Sequence, residues 1–165
     1  MKTVADRIKH LHPCADAMTW AAGYTSAAKA WRECPDGSWM LWLLGMLSGP
    51  VGSKSRKKLV LAACKCARLA LPHVPAGELR PLAAIEASER YCRGEATIDE
   101  VGAAARAARA AWAAARAAGA AGDAEAAGAA GAAWAAEAAG AAVLKTCADI
   151  VRDSYPKPPA IRINR

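Results

Sequence analysis

The chain has 165 residues, a net charge of +7, and a hydrophobic content of 55% that alanine inflates, with six tryptophans and no phenylalanine. That length suits one domain able to bury a core without staples. The scattered basic residues allow an anionic partner but lack the single dense face of a duplex binder. A membrane span is excluded as well, because the only tract long enough carries Arg106, Arg109, Arg116, Asp123, Glu125 and Glu137 among its alanines.

In chain order, residues 3–33 read as a short helix, a break at His12-Pro13, then helices over Ala15–Tyr24 and Ser26–Arg32. The first fourteen residues are polar and contain Lys2, Arg7, Lys9, His10 and His12, so no secretory signal is expected there. The six cysteines are accordingly expected to be reduced, in a cytoplasmic protein, and to act as small hydrophobes inside helices.

Cys34-Pro35-Asp36-Gly37-Ser38 reads as a turn, with Gly37 accepting a positive φ and Ser38 capping the helix that follows. That helix, from Trp39 to Ser48-Gly49-Pro50, is apolar on every side and is expected to run through the centre of the domain. Val51–Lys58 reads as a loop carrying Lys54, Arg56, Lys57 and Lys58. A helix over Leu59–Leu71 should stop at Pro72, and another should run from Pro81 to Cys92 and end at Gly94.

Thr97-Ile98-Asp99-Glu100 is a capping-box pattern. From Ala103 to Ala142, 27 of 40 residues are alanine and five are glycine. One unbroken helix through this region would be about 80 Å long, too long for the domain. The tract is therefore expected to fold at Gly119–Asp123 into two antiparallel arms, Asp99–Ala118 and Ala124–Arg152. The first arm carries Arg and the second Asp and Glu, so Arg116 would approach Glu125, and Arg106 would approach Glu137. The expected fold class is all-α: a single-domain helical bundle over 1–155 with a C-terminal alanine-rich hairpin at about 97–152. Residues 156–165, rich in proline, form an extended tail.

No nucleophile, base and orienter stand together, and neither phosphate-binding glycine pattern is present. His73 reads as a loop residue. His10, His12 and Cys14 lack a second paired cluster for a metal, and Cys64 and Cys66 are two apart on a helix. Glu86, Glu89 and Arg90, with Arg80 and Arg93, read as a solvated charge network. No cofactor or metal and no enzymatic activity are expected.

The candidate contact surface is then the sparse set of large groups on the alanine hairpin: Arg106, Arg109, Trp112, Arg116, Trp134 and Glu137. The alternative is an anion site at Lys54, Arg56, Lys57 and Lys58 for a nucleic acid or nucleotide.

Trp39-Met40-Leu41-Trp42-Leu43-Leu44-Gly45, the later Arg80-Pro81-Leu82-Ala83-Ala84-Ile85-Glu86 with Arg93-Gly94-Glu95, and the alanine tract together resemble alanine-rich bacterial and phage proteins. Some of these are similar to immunity proteins of polymorphic toxin systems. The resemblance implies an all-helical protein that neutralises a protein partner, either a toxin or, for a phage counter-defence inhibitor, a host defence enzyme. It brings no catalytic residues. Alanine-rich helices also leave room for a homodimer.

Overall fold

The computed structural model describes residues 1–74, 77–120, 140 and 142–161, with the backbone alone for 73 and 111–120. Its helices are α1 (Val4–Ile8), α2 (Ala15–Ala22), α3 (Ala27–Glu33), α4 (Gly37–Leu47), α5 (Lys54–Arg68), α6 (Arg80–Arg93), α7 (Ile98–Ala120) and α8 (residues 142–154). Single 3-10 turns follow α1 at Lys9–Leu11 and α5 at Leu71–His73. There is no strand among the described residues, and the fold is all-α as expected.

Local chemistry sets most helix ends. Thr3 and Asp6 form a reciprocal capping box at α1, with Asp6 N–H donating to Thr3 Oγ1 at 3.2 Å and Thr3 N–H donating to Asp6 Oδ2 at 3.0 Å. Thr97 and Glu100 do the same at α7: Thr97 N–H donates to Glu100 Oε2 at 2.6 Å, and Glu100 N–H to Thr97 Oγ1 at 3.2 Å. Pro81 occupies the first turn of α6, and Gly94 ends that helix at φ 85°.

Three local expectations are corrected. The cap of α4 is Asp36, whose Oδ1 accepts from Ser38 N–H at 2.7 Å and Trp39 N–H at 3.3 Å; Ser38 Oγ merely donates to the same oxygen at 2.6 Å. Asp36 holds the extended backbone of an N-cap, at φ −119° and ψ 106°, whereas Ser38 already lies inside the first turn. Gly37 lies inside the first turn of α4 and is not among the positive-φ glycines of the described residues, which are Gly52, Gly77 and Gly94. Finally, the segment with Lys54, Arg56, Lys57 and Lys58 is not a loop but the start of α5. Ser53 starts that helix, its Oγ accepting from Arg56 N–H at 3.2 Å and its carbonyl from Lys57 N–H at 2.9 Å. Lysine and arginine are good helix formers once such a cap exists.

The described residues fall into two compact units, 1–59 with 144–165, and 60–143. In the first, Val4, Ala5, Ile8, Ala21 and Ala30 form a buried cluster, with Met18, Trp20, Tyr24, Leu43 and Ile161 packed against it. Val4 N–H donates to the Tyr24 carbonyl at 2.7 Å, which closes α1 onto the end of α2. From α8, Cys147, Ala148 and Val151 are buried, the spacing of one helix face.

The helix α4 does not run through a centre. Met40 and Leu44 are buried, four residues apart, while Trp39, Leu41, Trp42 and Leu43 are half-buried and Met46 is 50% exposed. Its uniform apolarity hides an ordinary one-sided packing.

In the second unit α6 packs against α7, with Ile85 and Ala87 of α6 buried. Cys64 of α5 donates its thiol to the Ile85 carbonyl at 3.8 Å. Arg68 grips Glu89 with two parallel bonds, Nε to Oε1 at 3.0 Å and Nη2 to Oε2 at 2.7 Å. The first arm of the expected hairpin is therefore helical, and Gly119 and Ala120 still belong to it. Residues 121–139, with the rest of the expected turn and much of the second arm, lie outside the described residues.

Candidate functional site

A concavity lies within the first unit, where α2, α3 and α4 meet. Asp36 fixes the start of α4, and Met40 and Leu44 anchor it inward. Trp39 and Trp42, three residues apart, then share an adjoining face that remains half-buried. Trp20 of α2 stands 6.0 Å from Trp39 and 4.6 Å from Tyr24, measured between ring centroids. These are the offset, tilted contacts that aromatic rings favour.

Between the rings the small side chains Ala17, Ala21, Ala27 and Ala30 leave a recess of about 60 Å³. Ile8, Trp31, Cys34 and Leu43 complete the wall with Pro158 and Ile161 of the C-terminal segment. A wider depression of about 370 Å³ opens beside it and shares Ala17, Trp39 and Trp42.

The electrostatics of the recess are quiet. Cys34 is its one titratable lining residue among those described. Burial pushes that thiol above its ordinary range, and its Sγ donates to the Asp36 carbonyl at 3.4 Å. The Trp31 indole N–H is satisfied by the Tyr155 carbonyl at 2.8 Å. A wall of this kind offers mainly shape and apolar area.

The residues expected on the alanine hairpin are only partly placed. Arg106 and Arg109 are exposed on α7, the Arg106 guanidinium lying along Gly102. Trp112 and Arg116 are on the helical backbone of α7 with side chains outside the description, and Trp134 and Glu137 lie outside the described residues.

The basic cluster is partly engaged internally. Arg56 Nε donates to the Gly49 carbonyl at 3.1 Å, and Lys58 Nζ stands 4.4 Å over the Tyr155 ring. Lys54 is exposed and Lys57 half-buried. His10, His12 and Cys14 each reach the surface to some degree, and no group of three His, Cys, Asp or Glu side chains among the described residues could hold a metal ion. Glu89, expected in a solvated network with Arg90 and Arg93, is instead paired with Arg68 from α5.

Sequence reasoning placed Trp39 and Trp42 in a core and so missed the aromatic recess. The available signal was the coincidence of Trp20 near the end of one helix and Tyr24 just beyond it with Trp39-x-x-Trp42 on another helix, next to segments otherwise rich in alanine.

No protein-family model matches this chain, and no curated protein or solved structure matches it either. Fold and site together define an all-helical chain with an apolar, tryptophan-lined recess, and no helix among the described residues is long and apolar enough to cross a membrane.

Proposed function

We propose that this chain is a non-enzymatic protein-binding protein that neutralises its partner, in the manner of an immunity protein or a phage inhibitor of a host defence enzyme. The observation that carries the reading is the set of half-buried indoles, Trp20, Trp39 and Trp42, around an unfilled apolar recess. Tryptophan at a partly desolvated pocket is the side chain that most often dominates a protein interface. The lining lacks acid, base and nucleophile of suitable pKa, which favours recognition over catalysis. The resemblance of the Trp39–Gly45 and Arg80–Glu86 segments to alanine-rich immunity proteins points the same way.

The contact surface in this reading centres on the first unit, with Arg106, Arg109, Trp112, Arg116, Trp134 and Glu137 as a second patch. Binding of a nucleic acid or nucleotide at Lys54–Lys58 ranks below it, because Arg56 and Lys58 are engaged with Gly49 and Tyr155.

The test is affinity capture from the cell that produces the protein, using the wild type, a Trp39→Ala/Trp42→Ala variant and a Trp112→Ala/Trp134→Ala variant, each checked for helicity. A captured enzyme should lose activity in the complex. The first variant should retain tenfold less of it or worse. No complex, or one that neither variant weakens, overturns the proposal.

A further inference from the structure

The tryptophan-lined recess is already visited by a segment of the same chain, and that segment indicates which chemistry it accepts. Tyr155–Ile161 reads Tyr-Pro-Lys-Pro-Pro-Ala-Ile and, beyond the end of α8, forms neither helix nor strand. Its three prolines hold φ near −65°, so little conformational freedom is lost when it is seated.

The two ends of the segment are held differently. At Tyr155 the Trp31 indole donates to the carbonyl, and Lys58 covers the ring. Beyond Tyr155 the hydrogen bonds between described residues stop. Pro158 and Ile161 then line the recess, and Ile161 rests on the buried cluster. With both in place about 60 Å³ remains unfilled. The segment is thus tethered at Tyr155, meets the recess through the apolar side chains Pro158 and Ile161, and leaves space beside them.

We infer that the recess is a receptor for an extended, proline-containing segment of a partner protein with Pro-x-x-aliphatic spacing, and that Pro158 and Ile161 are a stand-in which the partner displaces. Aromatic-lined grooves suit such segments, because flat indoles pack on pyrrolidine rings and a proline-rich chain enters already extended. The leftover space gives a longer apolar side chain such as methionine, or the differently branched leucine, an advantage over the resident Ile161. Covering the recess with its own tail also limits the exposed apolar area of the free protein. The inference rests on the reading that the recess binds protein, and it adds the class of segment and the competition with the tail.

The experiment uses a fluorescein-labelled peptide of sequence Tyr-Pro-Lys-Pro-Pro-Ala-Ile, with anisotropy as the readout. The full-length proteins are the wild type, Ile161→Asp, and the double variant Pro158→Asp/Ile161→Asp, each with its helical circular dichroism measured. The expected result is that the variants stay helical and bind the peptide at least tenfold more tightly than the wild type, and that adding Trp39→Ala to them removes the gain. Helical variants that bind no peptide, or bind it no better than the wild type does, overturn the inference. So does loss of the helical signal in both variants, which makes the tail an integral part of the core. If the peptide fails while Trp39→Ala/Trp42→Ala still abolishes capture of a partner, the proline-segment assignment falls and the protein-binding reading stands.

Discussion

Gly37 and Cys147 mark a close approach of α4 to α8: a Cβ placed on Gly37 would lie 2.4 Å from the Cβ of Cys147 and 2.6 Å from the backbone nitrogen of Ala148. Glycine is required here by proximity and not by a left-handed φ. The contact joins the start of the tryptophan helix to the buried face of the last helix, where Ala148 and Val151 are fully excluded from solvent.

Replacing Gly37 by alanine should therefore destabilise the chain by about 1–3 kcal/mol, since backbone has to move to admit the methyl group. Thermal unfolding should shift down by roughly 2–4 °C per kcal/mol at this chain length. Gly45 supplies the contrast. A Cβ there would meet only Leu59 Cδ2 at 3.9 Å, an ordinary contact. Gly45→Ala should raise stability by about 0.5–1 kcal/mol through helix propensity. If the two variants melted alike, the close approach at Gly37 would be refuted.

Arg152 stitches α8 to the end of α3. Its Nη1 donates to the Cys34 carbonyl at 2.9 Å and the Trp31 carbonyl at 3.3 Å, and Nη2 to Asp149 Oδ1 at 2.6 Å. A cation at a helix C-terminus satisfies orphan carbonyls and complements the dipole. Arg152→Ala should cost about 1–3 kcal/mol, whereas Asp149→Ala, which touches only the exposed side of the pair, should cost about 0–1 kcal/mol. Urea titrations of both variants measure the ordering. Equal losses would place the effect in the ion pair and not in the carbonyl contacts.

The Arg68–Glu89 pair makes a prediction about acid. The two hydrogen bonds from Arg68 hold the Glu89 carboxyl below its ordinary value of 4.5. A carboxylate whose pKa is lower in the folded state contributes stability that is present above its ordinary value and is lost as pH falls through the lowered one. The urea midpoint of the wild type should accordingly decline on acidification from about pH 4.5 downward. Glu89→Gln should flatten that decline while costing about 0–1 kcal/mol at neutral pH, as the pair is partly exposed. An acid limb of unchanged steepness in the variant would remove the pair from the account. Asp6 and Glu100, whose carboxyls are lowered by their threonine capping partners, share the same sign and should sustain a residual slope.

Thiol reactivity should sort the cysteines. Burial pushes the Cys64 thiol up to about 11, and Cys34 is raised as well, while Cys14 is exposed. Mild alkylation of the native protein near pH 8 should label Cys14 long before Cys34 or Cys64, because the thiolate is the reactive form. In denaturant all six should react. Peptide mapping of the labelled protein provides the test, and early modification of Cys64 would contradict its burial beneath Ile85.

How far the residues announced this architecture can be judged element by element. The starts and stops at Thr97–Glu100, Pro81 and Gly94 were legible because each depends on a hydrogen bond or a φ preference spanning a few residues. The cap of α4 was misread by two positions, as Asp36 and Ser38 both suit an N-cap and only the backbone path distinguishes them. Lys54–Lys58 contains no apolar residue to mark it as helix, although Ser53 before it is an adequate cap.

The sequence by itself determined an all-helical chain, since alanine, leucine and the capping residues act locally and no stretch alternates as a strand would. The tertiary structure alone decided the exposure of Trp39 and Trp42, the partners of Arg56, Lys58 and Arg152, and the seating of Pro158 and Ile161. The reason is physical. A helix that is apolar all round carries no periodicity to mark its buried face, and contacts between residues as distant as Trp31 and Tyr155 leave no trace in spacing.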